Sequence, residues 1–329
     1  MKKSVIMKKI AALALGVSLT ATVAACGTNN NNAESTTSSA AESSAASESS
    51  AATDKLSGQI VIDGSSTVYP ITMAVAEEFK NEQPGVEVSV AMSGTGGGMK
   101  KFVAGEIDIC DASRTIKQEE IDKAKANGID YVELEIAYDG ISVVVNKDNT
   151  WVDSITVAEL NKIWAKDSKV KTWNEVNPAW PAEPIKLYGP GTDSGTFEFF
   201  TEKINKKAKE SRTDYTPSED DNVLVQGIAG DKDAMGYFGF AYYEENTDKL
   251  KVLKIDDGKG AVEPTADTIK NKTYSPLSRP LFIYVNKAKL DQPQVKAFIK
   301  YYLDNAATLS KEVGYVPLES YDAIKEKIK

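Results

Sequence analysis

The chain has 329 residues, of which 41% are hydrophobic and 26% charged. This composition suits about two globular domains and excludes a disordered chain and a multi-pass membrane protein. The sequence contains no histidine, which excludes Ser-His-Asp and Cys-His catalysis and His-ligated zinc, and its net charge of −9 argues against nonspecific nucleic-acid binding. Arginine is scarce, since only Arg114, Arg212 and Arg279 occur among 39 basic residues.

The first 25 residues have the pattern of a bacterial export signal. Four lysines precede an apolar run from Ile10 to Ala25, and small residues come directly before Cys26. This resembles a lipobox, in which Cys26 becomes the lipidated (palmitate-bearing) first residue of the mature chain; the alternative is a plain secretory peptide with a chance cysteine. Removing residues 1–25 would take the net charge from −9 to −13. Lipidation of Cys26 would also leave Cys110 without a disulfide partner.

A stretch rich in Ser, Ala and Asn follows, over residues 26–57. It has no apolar cluster and therefore cannot bury enough surface to offset the entropy of ordering. We expect a disordered tether that holds a folded part away from its anchor, or alternatively a tail without function.

From residue 58 the sequence alternates between short strands and helices. Strand-like runs at 59–62, 86–90 and 107–109 are each followed by a loop and then by a helical pattern, the last one from Gln118 to Asn127. This alternation predicts an α/β architecture with a largely parallel sheet. Ligands of such sheets bind at the carboxyl ends of the strands, where these loops lie.

Two further strands, 141–146 and 281–286, each follow a turn-prone segment, 138–140 and 275–280. They are either ordinary core strands or the places where the chain crosses between two lobes. In the second case residues 58–140 and 282–329 form lobe I, residues 141–274 form lobe II, and residues 275–281 are the second hinge crossing.

Four loops rich in hydroxyl groups and glycine carry the candidate chemistry. Each precedes a helical pattern, and they comprise Ser65-Ser66-Thr67, Ser93-Gly94-Thr95, Ser113-Arg114 and Ser194-Gly195-Thr196. Free N–H groups and the helix dipole at such positions favour an anion without surrounding lysines. A single loop of this type is more often a simple helix cap. The glycines lack the spacing of a dinucleotide fingerprint or a P-loop.

The order of these motifs resembles a known family. Asp63–Pro70, Ser93–Gly98, Asp108–Arg114, Tyr138–Gly140, Gly191–Thr196 and Pro276–Pro280 together look like the phosphate-binding protein of the high-affinity phosphate ABC transporter (PstS type), in its Gram-positive lipoprotein form. The resemblance spans essentially all of residues 58–329. It implies a periplasmic-binding-protein-like (type II) fold, with two α/β lobes and two hinge crossings that close over one phosphate.

The resemblance also assigns ligand contacts. It implies that Ser66 and Thr67 of the first loop, Ser93 and Thr95 of the second, and Ser194, Gly195 and Thr196 of the far lobe bind phosphate. We also predict contacts from Ser65 and Ser113, which lie in the first and third loops.

Two positions depart from the family pattern. Many members carry an arginine where this chain has Pro190, and an aspartate where it has Arg114. Our hypothesis is that Arg114 supplies the bidentate charged contact, the alternative being a surface residue or an ion pair. A carboxylate that accepts the proton of phosphate would discriminate against sulfate. We assign this role to Asp139 ahead of Asp111 and Asp193, while an Asx-turn remains the other reading of Asp139.

The sequence therefore predicts a monomeric receptor that is not an enzyme and sits, lipid-anchored, on the outer face of the cytoplasmic membrane. It would capture inorganic phosphate and deliver it to the permease subunits of an ABC importer, with no cofactor, metal or nucleic acid. The rival hypotheses are a receptor for sulfate, molybdate or tungstate, a phosphate-sensing or adhesive surface protein, and an enzyme acting on phosphate esters.

Overall fold

A computed structural model describes residues 55–329 of the chain. The predicted signal peptide, the lipidation site Cys26 and nearly all of the predicted tether lie outside the described residues. None of the helices in the described part combines the length and the hydropathy needed to cross a membrane.

The strands and helices follow one another along the whole described part. The strands are β1 (Gly58–Gly64), β2 (Val86–Ala91), β3 (Ile109–Ala112), β4 (Tyr131–Asn146), β5 (Ser154–Thr156), β6 (Lys186–Pro190), β7 (Thr216–Ser218), β8 (Ala234–Gly239), β9 (Leu250–Val252), β10 (Lys254–Asp256), β11 (Ala261–Val262), β12 (Ser278–Asn286) and β13 (Val316–Pro317). The helices are α1 (Tyr69–Glu82), α2 (Gly94–Val103), α3 (Gln118–Ala126), α4 (Val157–Trp164), α5 (Trp173–Val176), α6 (Gly195–Ile204), α7 (Asp221–Ala229), α8 (Phe240–Glu244), α9 (Ala266–Lys270), α10 (Lys287–Leu290), α11 (Pro293–Glu312) and α12 (Asp322–Lys325), followed by a 3-10 turn at Glu326–Ile328.

One sheet runs through most of the structure in the order β2-β1-β3-β12-β4-β8-β6-β7. Its outer pairs are parallel, whereas β12 and β4 are antiparallel to their neighbours. The 16-residue strand β4 belongs to both halves, because it pairs with β12 up to Gly140 and with β8 from Ile141 onwards. We refer to the half with β1, β2, β3 and β12 as lobe I, and to the half with β6, β7 and β8 as lobe II.

Each lobe has its own hydrophobic core on both faces of the sheet. In lobe I, α1 and α11 cover one face, where the rings of Phe79 and Phe298 meet edge to face at 5.3 Å, and α2 covers the other. Alternate residues of β12 face these two layers, Ile283 toward α1 and α11 and Tyr284 toward α2. Burial on both faces accounts for the nearly continuous apolar runs of these strands.

The predicted α/β fold class is confirmed, with three corrections in detail. The sheet is mixed rather than largely parallel, since its centre is antiparallel. The segments 138–140 and 278–280 are not turns. Residues 138–140 lie in the middle of β4, residues 278–280 begin β12, and the two segments pair with each other. The loop at Ser113-Arg114 does not begin a helix directly, since α3 starts only at Gln118. The predicted domain limits stay a prediction.

Candidate functional site

All four hydroxyl-rich loops connect the carboxyl end of a strand to a helix. The first loop joins β1 to α1, the second joins β2 to α2, the third joins β3 to α3, and the fourth joins β6 to α6. The first N–H groups of a helix have no partner within it, so α2 and α6 present theirs together with the hydroxyls of Thr95 and Thr196. Ser194 caps α6, and its Oγ accepts hydrogen bonds from Thr196 N at 3.1 Å and Phe197 N at 3.4 Å.

Hydrogen bonds join the loops of lobe I to one another. Ser65 N donates to the Asp111 carbonyl at 2.9 Å, and Ser113 N donates to Thr95 Oγ1 at 3.1 Å. The hydroxyls of Thr95 and Ser113 also lie 3.1 Å apart. Three sequence-predicted residues of this lobe are buried: Ser65, Thr67 and Thr95.

The other three hydroxyl residues predicted in lobe I are more open to solvent. Ser66 and Ser113 are half-buried and Ser93 is exposed. The Ser93 backbone N–H is held at 2.9 Å by the buried Asp63 carboxylate.

The first and fourth loops touch each other across the two lobes. A Cβ atom on Gly195 would stand only 2.4 Å from Thr67 Oγ1 and 2.7 Å from Thr67 N. No side chain fits there, so glycine is required for this close approach. The structure therefore places Ser194, Gly195 and Thr196 of lobe II against the first loop of lobe I.

An arginine and an aspartate lie where the central strands pass between the lobes. Arg279 of β12 and Asp139 of β4 are direct neighbours in the antiparallel ladder, so their side chains project from the same face. Arg279 Nε donates to Asp139 Oδ2 at 3.1 Å, and Nη2 lies 3.1 Å from the same oxygen. The Asx-turn reading of Asp139 is wrong, because this residue lies within a strand and its carboxylate is paired.

Arg279 also reaches both loops. Its Nη2 donates to Thr67 Oγ1 at 2.7 Å and lies 3.5 Å from the Gly195 carbonyl oxygen, and its Cζ lies 3.7 Å from the centre of the Phe199 ring. We call these five residues, Thr67, Asp139, Gly195, Phe199 and Arg279, the Arg279 cluster.

In the ion pair of Asp139 and Arg279, each side chain has one polar atom that the pair itself does not use. Within residues 55–329, no hydrogen bond reaches Asp139 Oδ1 or Arg279 Nη1. Burial raises the pKa of the Asp139 carboxyl above its ordinary value, and the adjacent Arg279 guanidinium acts in the opposite direction. The cluster thus offers a charged donor edge and a carboxylate acceptor side by side.

Arg114 does not join this cluster, contrary to our hypothesis. Its guanidinium forms a two-pronged ion pair with Glu120, with N–O distances of 2.9 and 2.8 Å. Glu120 is held for this contact because its carboxylate also accepts a hydrogen bond from Lys117 N at the start of α3. The structure brings Arg279 to the loops instead. The scarcity of arginine and its place in the Pro276–Pro280 motif were the signals in the sequence that pointed to Arg279.

In the part of the chain that the structure describes, no group of three or more His, Cys, Asp or Glu side chains is arranged to hold a metal ion. The arrangement is suited to holding a small anion by helix N-termini, hydroxyls and one guanidinium, and the fold and this site define a two-lobed anion-binding protein.

Known proteins share this organisation. A family model described as a PBP superfamily domain matches residues 49–306. Protein SphX of Synechococcus elongatus is 49% identical over 275 residues, which cover 82% of this chain and 81% of that protein. The phosphate-binding protein PstS of Staphylococcus saprophyticus is 42% identical over 277 residues, covering 84% and 85%.

A solved structure agrees with these matches. The crystal structure of a possible phosphate binding protein from Planctomyces limnophilus has 55% sequence identity and a TM-score of 0.80, and the match covers 83% of this chain and 98% of that one. The chain belongs to the PBP superfamily and, within it, to the family of the PstS phosphate-binding proteins.

Proposed function

We propose that this protein binds inorganic phosphate at the Arg279 cluster. The observation that carries the proposal is that Arg279 and Asp139 form a buried ion pair near α6 in which Arg279 Nη1 and Asp139 Oδ1 have no hydrogen-bond partner among the described residues. The guanidinium and the helix N–H groups suit the charged oxygens. The carboxylate oxygen suits the proton that phosphate carries near neutral pH and sulfate lacks. The phosphate-binding relatives support this assignment.

The remaining contacts follow from the loops around the cluster. Thr67, Thr95 and Ser113 would supply hydroxyls from lobe I, with Ser65, Ser66 and Ser93 shaping the same side. Gly195 would supply its backbone N–H group and Thr196 its hydroxyl from lobe II, since Ser194, the cap of α6, already accepts the Thr196 N–H. In this assignment Arg279 takes the role that the sequence alone suggested for Arg114.

The protein would act as an extracytoplasmic receptor rather than an enzyme. Lipidation of Cys26 would anchor it to the outer face of the cytoplasmic membrane, and the permease subunits of an ABC importer would receive the phosphate from its closed form. The lipobox-like sequence before Cys26 supports the anchor. Replacing Cys26 with Ala should release the protein from the membrane fraction, and retention there would contradict the anchor.

Calorimetric titration tests whether the protein binds phosphate and rejects sulfate. The protein is freed of bound phosphate, placed in phosphate-free buffer at pH 7, and titrated with phosphate and then with sulfate. We expect tight binding of phosphate and none of sulfate, since Asp139 Oδ1 would repel a fully ionised oxygen. Tight sulfate binding, or no binding of either ion, would overturn the proposal and favour a receptor for another oxyanion.

Two variants and a matched control test whether Arg279 and Asp139 contact phosphate. Arg279→Gln removes the guanidinium in the cluster and should lower phosphate affinity at least a hundredfold. The control Arg114→Gln removes the guanidinium that is paired with Glu120 and should leave phosphate affinity unchanged. Asp139→Asn should weaken phosphate binding while admitting sulfate. A loss confined to Arg114→Gln would restore our original assignment and refute the one made from the structure.

A further inference from the structure

The aromatic ring of Phe199 lies against the Arg279 guanidinium. Phe199 is completely buried on α6, one turn after Gly195, and the Arg279 Cζ atom stands 3.7 Å from its ring centre. The face of an aromatic ring carries partial negative charge and attracts a cation placed over it, most strongly where water is excluded. Arg279 is itself largely buried, with 12% of its side chain exposed, so the contact is shielded from solvent.

The other contacts of Arg279 leave one rotation of its guanidinium plane unrestricted. Asp139 Oδ2 holds the edge formed by Nε and Nη2, and Thr67 Oγ1 and the Gly195 carbonyl oxygen contact Nη2 alone. Contacts along one edge allow the guanidinium plane to rotate about that edge. The flat face of Phe199 blocks this rotation and thereby determines where Nη1, the open donor, points.

The ring also links this donor to the helix that carries the other ligand contacts. Phe199 and Gly195 lie on the same helix α6 of lobe II, whereas Arg279 lies on β12 of lobe I. A guanidinium stacked on Phe199 therefore keeps a constant position relative to the N–H groups at the start of α6. Preorganisation of this kind raises affinity because less ordering remains to be done when the ligand binds.

We propose that Phe199 is a positioning residue for anion binding, whose ring face orients the Arg279 guanidinium toward the ligand. This inference rests on the proposed function, because it takes Arg279 as the charged contact of the anion. Phe199 would not touch the anion, and its effect would depend on the charge distribution of the ring rather than on its volume.

Fluorination of the Phe199 ring separates the effect of its charge distribution from the effect of its volume. Replacing Phe199 by phenylalanines with one, two and three ring fluorines changes the shape little but withdraws negative charge from the ring face stepwise. We expect phosphate affinity, measured by calorimetry on the whole protein, to fall with each fluorine, by about tenfold at three. Thermal unfolding of each variant without ligand would show that the core remains intact.

The same helix provides a matched control. Phe200 is equally buried and stacks on Tyr237 at 3.7 Å, and no cation from residues 55–329 lies over its ring. The same fluorine series at Phe200 should leave phosphate affinity unchanged. A second cation, Lys203 Nζ, lies 5.7 Å from the Phe199 ring centre, so the Phe199 series is repeated with Lys203→Met, and the trend should persist.

The outcomes distinguish this inference from the proposed function. A stepwise loss at Phe199 with a flat series at Phe200 supports the positioning role. Phosphate binding by the unmodified protein with a flat series at Phe199, or with equal losses at both positions, overturns the positioning role alone. No phosphate binding by the unmodified protein overturns the proposed function and the positioning role together.

Discussion

Asp111 offers a test of how the core beneath the candidate site is held. Its side chain is completely buried in β3, where Oδ1 accepts a hydrogen bond from Thr72 Oγ1 at 3.0 Å. Thr72 Oγ1 in turn lies 3.1 Å from the Tyr302 hydroxyl, and Asp111 Oδ2 has no hydrogen-bond partner within residues 55–329. Burial raises the pKa of Asp111 from 3.8 to about 8, so this carboxyl is neutral in the folded protein at pH 7.

The raised pKa predicts the direction and size of a pH effect on stability. A carboxyl whose pKa is higher in the folded state stabilises the fold fully below pH 4, and this contribution is lost as the pH rises to about 8. Each unit of pKa corresponds to about 1.4 kcal/mol and pH 7 lies about three units above 3.8, so the loss at pH 7 is about 4 kcal/mol.

The variant Asp111→Asn removes the titration while keeping the shape. Urea unfolding of both proteins, followed by circular dichroism at pH values from 4 to 9, gives the difference in unfolding free energy at each pH. We expect Asp111→Asn to gain stability relative to the wild type by about 4 kcal/mol between pH 4 and pH 7, and the difference to level off above pH 8. A change of the exposed Asp122 to Asn serves as the control. A difference that stays constant from pH 4 to pH 8 would show that Asp111 is ionised in the fold.

Three further predictions concern glycines and a helix cap. Gly195→Ala places a methyl group 2.4 Å from Thr67 Oγ1, so calorimetry should show at least a tenfold loss of phosphate affinity with little change in Tm. Unchanged affinity would mean that the loops of Thr67 and Gly195 need not touch. Ser194→Ala removes the cap of α6 and should lower the unfolding free energy by about 1 kcal/mol in urea, whereas an unaltered urea midpoint would contradict the capping role. Gly140→Ala places a methyl group 2.4 Å from Ile269 Cδ1 and should cost about 1–3 kcal/mol in the same assay, and equal stability would show that Ile269 moves aside freely.

Local patterns in the sequence were sufficient to predict the fold class and the loops. The spacing of apolar residues identified the strands and helices around Ser65 and Ser93, and hydroxyl residues followed by helices marked the loops. The turn at residues 138–140 was wrong because Asp139 and Gly140 have strong turn preferences on their own, which pairing with β12 overrides. The assignment of ligand contacts to the hydroxyl residues stays a prediction.

The choice between the arginines depended on information that local patterns lack. Arg114 lies six residues from Glu120, and their ion pair follows from the path of the chain into α3. Arg279 meets Asp139 across 140 positions of sequence. Their contact depends on the register of β12 on β4, which the packing of both faces of the sheet determines. No single-sequence pattern near either residue encodes that register.

The continuous strand β4 has a consequence for how the protein unfolds. One backbone segment forms part of both cores, so neither lobe can lose its structure without taking a central strand away from the other. The two lobes should therefore melt together in one cooperative transition, with equal calorimetric and van't Hoff enthalpies. A ligand bound at the Arg279 cluster would raise the melting temperature of the whole molecule rather than of one part, so thermal denaturation alone could report occupancy of this candidate site.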